Sequence, residues 1–262
     1  MQKMRRAPVY LTLAQARFNP ILALDAYVPK IQDQLRRHGF PDTQKMMVTT
    51  FNMNIAQPND AGPQPLPISQ TARHTFSTMD KTAGFILDQG SLSFQTMEYD
   101  MFESFSEIFL KGLKTVHEAV SLSYTDRIGL RYLDAVYPGK GKNLSEYLND
   151  AVLGLYGKID GTLVHAFSET RIKNGDINVT ARIIVQDGRV GFPPDLQPAG
   201  LELADRFKEL VGLHAILDTD GSHEHRAAFD LDNVGNCLSA VHNAVTSSFK
   251  ASVTQHAIES WE

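Results

Sequence analysis

The chain has 262 residues, of which 42% are hydrophobic and 21% are charged, and its formal net charge is −5. This composition is typical of a globular protein and excludes a disordered or fibrous chain. The weak negative charge makes nucleic acid an unfavourable partner for the overall field of the protein. Because Cys237 is the single cysteine, an intramolecular disulfide is excluded and a reducing compartment is favoured.

Membrane insertion is not expected, since a spanning helix needs about 20 consecutive apolar residues and every apolar stretch here is soon interrupted by polar residues. The basic N-terminus is followed by Pro8 and an alternating stretch, not by the apolar segment of a secretory signal. We therefore expect a cytoplasmic protein without a membrane partner.

In the first half of the chain, hydrophobic spacing predicts strands separated by two helices. Alternating residues predict a strand from Val9, and helical spacing from Leu24 predicts a helix that ends near Gly39. Further strands are predicted at about 47–55, 72–78, 83–88 and 91–97, with a proline-rich loop at 57–69. A second helix is predicted over Phe102–Val116, followed by a strand over Arg127–Val136.

The second half repeats this plan. After a short helix at about 144–155, strands at about 161–172 and 176–186 are joined through Asn174-Gly175, a pair that strongly favours a hairpin. A second hairpin is predicted from strands at about 211–219 and 225–232. A long amphipathic helix carrying Val234 to Phe249 follows, and Thr254 is expected to cap a last short helix.

The element order predicts an α+β fold, because helices alternate with strands too rarely for a doubly wound parallel sheet. We predict two similar lobes of mostly antiparallel sheet, each closed by a long helix, over residues 1–138 and 139–262. One continuous domain, with a single sheet and helices on one face, is the alternative.

The string Arg-Ile-Gly-Leu-Arg-Tyr at Arg127–Tyr132 resembles the hallmark of an uncharacterised, sporadically distributed bacterial family of about this length. Similar features are the opening Arg17-Phe18-Asn19-Pro20, Leu217-Asp218-Thr219-Asp220, Val241-His242 and the terminal Thr254 to Trp261. The resemblance implies a genomic setting of mobile elements, toxin–antitoxin pairs or antiviral defence, and it supplies no catalytic residues. Ala83-Gly84-Phe85 departs from the family where an aromatic residue such as Trp is expected.

Two groups of polar residues are candidate binding residues. Arg127 and Arg131 share one face of a strand with Gly129 between them, so they can bracket an anionic ligand or an acidic partner. Each can instead pair with a carboxylate on a neighbouring strand. Asp218 and Asp220 can act together at the end of a strand, although carboxylates in such positions are more often solvated or cap helices. We expect no metal and no cofactor.

Common catalytic templates are absent from the sequence, including phosphate-binding glycine loops, nucleophile elbows and zinc-binding histidine motifs. Enzymatic activity therefore stays uncertain and is not favoured, since a catalytic site can also be assembled from distant segments. A modest basic patch can form from Lys30, Arg36 and Arg37 on the first helix together with Lys3, Arg5 and Arg6 before the first strand, although a solvated helix face is the simpler interpretation.

The leading hypothesis is a non-enzymatic component that binds another protein, as an antitoxin, immunity protein or defence accessory. Such a protein can also form a homo-oligomer. The first alternative is a sensor of a small ligand or nucleotide, or an enzyme, with a pocket between sheet and helix and with Arg127 and Arg131 as the anion contacts. The second alternative is binding of nucleic acid through the first helix.

Overall fold

The computed structural model describes residues 4–51, 68–139, 141–196, 198 and 200–262. The predicted α+β class is confirmed: within these ranges the chain forms ten strands and six α-helices. Most of the predicted loop at 57–69, and the end of the predicted strand at 47–55, lie outside the described residues.

The strands form one antiparallel sheet with the order β2-β3-β4-β5-β1-β6-β9-β8-β7, and the short β10 pairs with β6. Their bounds are β1 Val9–Phe18, β2 Asp42–Phe51, β3 Ile68–Ser77, β4 Ala83–Asp88, β5 Ser91–Thr96, β6 Tyr124–Val136, β7 His165–Asn174, β8 Ile177–Gln186, β9 His214–His223 and β10 Ala227–Ala228. Strands from both predicted lobes thus share one sheet, and the division into two lobes is not confirmed.

Helices cover one face of this sheet, except for one short helix in the segment between β8 and β9, which lies on the opposite face. Their bounds are α1 Leu24–Arg37, α2 Phe102–Val120, α3 Asp150–Leu153, α4 Asp205–Lys208, α5 Leu231–Ser252 and α6 Gln255–Trp261, with a 3-10 turn at Leu144–Glu146. Alternation along the strands sends one set of side chains, such as Ala14, Phe94 and Leu130, into a core under α1, α2 and α5. A smaller core under α3 and α6 continues on the same face.

The segment between β8 and β9 covers part of the opposite face. Leu196 and Phe207 of this segment pack against Leu11, Leu133 and Ile216 of the three central strands. Its backbone reaches the β3–β4 turn, where the amide of Glu202 donates to the carbonyl of Lys81 over 2.9 Å. The face opposite the long helices is therefore buried where this segment covers it. The rest of that face carries polar side chains.

The predicted β7–β8 hairpin is confirmed. Asn174 pairs with Ile177, and Gly175 adopts a positive φ of 59° in the two-residue turn, a conformation that glycine accepts without steric cost. The predicted hairpin of 211–219 with 225–232 is wrong, since β10 pairs with β6 instead of β9. Asp230 ends that segment as the N-cap of α5, where its carboxylate accepts from the amide of Asn233 over 2.7 Å.

Among the described residues, no helix has both the length and the apolar character that crossing a membrane requires. The long helices are amphipathic instead. On α5 the buried residues Val234, Leu238, Val241 and Val245 follow helical spacing and face the sheet.

Candidate functional site

The five residues singled out in the sequence lie together on the face of the sheet opposite the helices. In the antiparallel register of β6 and β9, Arg131 is opposite Asp220, and Leu133 is opposite Asp218. Because side chains two residues apart share a face, Arg127, Gly129 and Arg131 project on the same side as both aspartates. The sequence indicated these residues separately, and the strand register brings them into one cluster.

Arg131 and Asp218 form the buried centre of this cluster. Nε and Nη2 of Arg131 donate to Oδ1 and Oδ2 of Asp218 over 2.6 and 2.8 Å, and the carboxylate of Asp218 is 0% exposed. Nη1 of Arg182 lies 3.2 Å from the same carboxylate. Burial opposes the charge of Arg131, but hydrogen bonds to Asp218 and Asp195 outweigh it and raise the pKa of the guanidinium.

Two further hydrogen bonds of Arg131 go to Asp195, from the segment that covers this face. Nη1 and Nη2 donate to the two carboxylate oxygens of Asp195 over 2.8 and 3.2 Å. The Asp195 side chain is 63% exposed, and the guanidinium of Arg131 lowers the pKa of its carboxyl group. An anionic ligand can reach Arg131 only by displacing Asp195.

Arg127 is held by weaker contacts. Nη1 donates to Oε1 of Gln15 over 3.2 Å, while Asp220 and Glu224 lie at 3.9 and 3.6 Å. The guanidinium folds over Gly129, where an added Cβ would meet Nη1 at 2.5 Å. The space above Gly129 is thus filled by the neighbouring arginine of the same strand.

A cavity of about 680 Å³ lies on the helix-covered face. Its floor is formed by the sheet, with Tyr132 and Asp134 of β6 and Thr219 of β9, and its walls include Phe102 of α2 and His242 of α5. The segments Met4–Val9 and Met97–Met101 complete the lining together with Ala204 and Arg206. Arg127 and Arg131 project from the opposite face and do not line it.

Asp134 is the unusual residue of this cavity. It is opposite Val9 in the register of β1 and β6, and only 6% of its surface is exposed. Its carboxylate makes no hydrogen bond or ion pair with the described residues, and burial raises its pKa from 3.8 to about 7. A buried carboxylate without a partner is costly, because its charge has lost hydration without compensation.

A chain of hydrogen bonds crosses the cavity beside Asp134. The hydroxyl groups of Tyr99 and Tyr132 are 3.2 Å apart, and the hydroxyl of Tyr132 is 3.1 Å from Nδ1 of His242. The ring of Phe102 stacks on the imidazole at a centroid distance of 3.9 Å. Burial raises the pKa of Tyr99 to about 12 and lowers that of His242, so the chain is uncharged at neutral pH.

Among the described residues that line the cavity, acidic side chains outnumber basic ones. The described carboxylates in the lining are Glu98, Asp100, Glu103 and Asp134, and the described guanidiniums are those of Arg5 and Arg206. Nη2 of Arg206 donates to the carbonyl of Val9 over 3.2 Å, its guanidinium lies 4.4 Å from the ring centroid of Phe207, and its charge interacts with that of Glu98. The cavity therefore favours a positively charged or hydrogen-bond-donating occupant.

Chemically, this arrangement can form an ion pair with a cation, donate and accept hydrogen bonds, and exchange one proton with an occupant near neutral pH. Within the described ranges, no group of three or more His, Cys, Asp or Glu side chains is arranged to hold a metal ion.

The alternative hypothesis from the sequence placed a pocket between sheet and helix but gave it Arg127 and Arg131 as contacts, whereas these two residues do not line the cavity. Asp134 was missed. In the sequence analysis, Tyr132 and His242 were named only as parts of the strings that carry the family resemblance. A signal was present: Asp134 is a charged residue on the strand face that otherwise carries Ile128, Leu130, Tyr132 and Val136. Alternation alone could have indicated a carboxylate pointing into the core.

No family model, curated protein or solved structure matches this chain. The membership in a sporadic bacterial family therefore stays a prediction that rests on the Arg127–Tyr132 string.

Proposed function

We propose that the protein binds a small organic ligand in the cavity between the sheet and helices α2 and α5. The observation that carries this proposal is Asp134, a buried carboxylate that has no partner among the described residues and lies on the floor of a cavity of about 680 Å³. Buried polar groups in native proteins are nearly always satisfied, and exceptions are concentrated at functional sites.

The size and lining of the cavity support the same conclusion. Cavities that bind small molecules typically measure about 300–1,000 Å³ and combine apolar walls with a few convergent polar groups. Here Met97, Phe102 and Phe249 supply apolar walls, while Tyr132 and His242 supply hydrogen-bonding groups beside Asp134.

The test is native mass spectrometry of the protein purified from the cells that make it. We expect a fraction that carries additional small-molecule mass, which is lost from the variant Thr246→Phe. Thr246 lines the cavity from α5, so a phenylalanine there occupies the ligand volume. Asn243→Phe, on the exposed side of the same helix, is the matched control and should keep the ligand. Equal loss from both variants, or no bound mass in either, contradicts the proposal.

Binding of another protein is a second candidate function, supported by the edge strand β7. Phe167 and Ile172 on this strand are 54% and 62% exposed, and an uncovered edge can accept an additional strand from a partner. The test compares the wild type with a Phe167→Lys/Ile172→Lys variant in affinity purification from the native host. A stoichiometric partner that the variant retains rules out β7 as the binding edge.

A further inference from the structure

We infer that the ligand of the cavity is a cationic amine with an apolar body, whose ammonium group pairs with Asp134. This inference rests on the proposed function and specifies its ligand class. Its basis is the position of a buried, unpaired carboxylate in a cavity whose described charged residues are mostly acidic.

Asp134 has neither hydrogen-bond donors nor a counter-ion among the described residues. An ionised carboxylate offers about four lone-pair sites for hydrogen bonds, and the described residues occupy none of those on Asp134. Neither Arg5 nor Arg206 forms a salt bridge with it, although both line the same cavity. An ammonium group brings three donors and the opposite charge, so it satisfies both needs of this carboxylate.

The acidic lining of the cavity disfavours an anionic ligand. An anionic ligand would lie beside Asp134 and share the cavity with Glu98 and Glu103. Like charges in a partly desolvated site repel strongly, because the protein screens them less than water does. A neutral alcohol can donate a single hydrogen bond to Asp134, but it leaves the charge without compensation.

Aromatic and apolar side chains are available to contact the apolar body of the ligand. Tyr99, Phe102 and Tyr132 line the cavity together with Met97 and Phe249. Aromatic faces attract cations through the ring quadrupole, and the remaining walls bury apolar surface. Together they favour an arylalkyl or alkyl amine over a strongly hydrated cation such as a metal ion or a polyamine.

The experiment measures binding of matched probe sets to the full-length protein by protein-observed NMR. Phenethylamine, 2-phenylethanol and phenylacetate form one set, and tryptamine, tryptophol and indole-3-acetate form a second. Within each set we expect the amine to bind at least about tenfold more tightly than the alcohol, the size expected for a hydrogen bond to a charged group. The carboxylate should not bind detectably.

Asp134→Asn removes the charge and keeps the shape, so it should bring the amine to within about threefold of the alcohol, since the ion pair with Asp134 is the main difference between the two probes. Equal affinities of amine and alcohol in the wild type, or an amine preference that survives in Asp134→Asn, overturn the inference. If a neutral or anionic probe binds preferentially and Thr246→Phe abolishes it, the cavity is a ligand site for another class. If no probe binds and no native ligand is found, the proposed function fails as well.

Discussion

The guanidinium of Arg127 lies directly over the backbone of Gly129, so that a Cβ at residue 129 would stand 2.5 Å from Nη1. The two residues belong to the same face of β6, and the glycine leaves the space into which the arginine folds. This position brings Nη1 within hydrogen-bond distance of Gln15 on the adjacent β1. The glycine of the Arg127–Tyr132 string thus has a structural use within the strand itself.

Gly129→Ala should displace the Arg127 guanidinium and lower the free energy of unfolding by about 1 kcal/mol, the usual value of one such hydrogen bond. In an Arg127→Ala background the same substitution should cost nothing, because the clashing group is gone. Urea denaturation of the four proteins of this double-mutant cycle measures the coupling. Gly112→Ala is the control, since its Cβ would meet the ring of Phe85 at 2.3 Å and Arg127→Ala should not rescue it. Additive losses at residues 127 and 129 contradict the prediction.

Arg131→Gln should destabilise the protein far more than Arg127→Gln. Loss of Arg131 leaves the fully buried Asp218 with a single cation, Arg182, at 3.2 Å, and breaking a buried pair typically costs about 3–5 kcal/mol. The contacts of Arg127 are longer and more exposed, so its loss should cost about 1 kcal/mol or less. The measurement is urea denaturation at neutral pH. Adding Asp218→Asn to Arg131→Gln should restore part of the loss, and a further decrease would show that Asp218 is not the residue left uncompensated.

Asp134→Asn should stabilise the unliganded protein at alkaline pH. Because the folded-state pKa of Asp134 is raised from 3.8 to about 7, proton binding favours the folded state below about pH 4. That contribution is lost as pH rises through about 7, and the full change corresponds to at most about 4 kcal/mol. Unfolding free energies from about pH 4 to pH 8.5 should therefore diverge between wild type and variant as pH increases. The exposed Asp187→Asn should follow the wild type, and parallel curves for Asp134→Asn would refute the assignment.

Tyr132→Phe should break the hydrogen-bond chain between Tyr99 and His242. The hydroxyl of Tyr132 contacts both residues, so its removal should cost about 1 kcal/mol or slightly more in stability. It should also change the tautomer balance of the His242 imidazole, because the partner at Nδ1 is lost. Nitrogen chemical shifts of the His242 ring report that balance. The control Tyr27→Phe, at a partly exposed position on α1, should change neither quantity, and an unchanged His242 spectrum in Tyr132→Phe argues against the contact.

Local patterns predicted most elements of the fold but not their order. Alternation identified β1 and the β7–β8 hairpin, and helical spacing identified α5, because each signal is contained in a short stretch. The place of β1 between β5 and β6 depends on pairing between distant segments, which no local pattern encodes. The segment at 225–232 contains only the two-residue strand β10, which pairs with β6, because Asp230 ends it as the N-cap of α5.

The candidate site was predicted in part for the same reason. Arg131 and Asp218 could be identified from the sequence because they are charged residues in apolar strands. Their pairing depends on the β6–β9 register, which the sequence does not show. Asp134 gives a weaker signal, since a carboxylate in a strand is ordinarily assigned to the solvent face. Its burial depends on α5 covering that part of the sheet, which is a property of the assembled fold.

The central place of β1 has a consequence for folding. β1, the most N-terminal of the described strands, pairs with β5 and β6, whose partner residues begin at Ser91 and end at Asp134, and β6 in turn pairs with β9 up to His223. Such long-range pairing makes folding slow, because loops must close before the contacts that stabilise them can form. A nascent chain that stops after residue 138 would present the β9-pairing edge of β6 uncovered. During synthesis the chain is thus exposed to aggregation until β9 has been made.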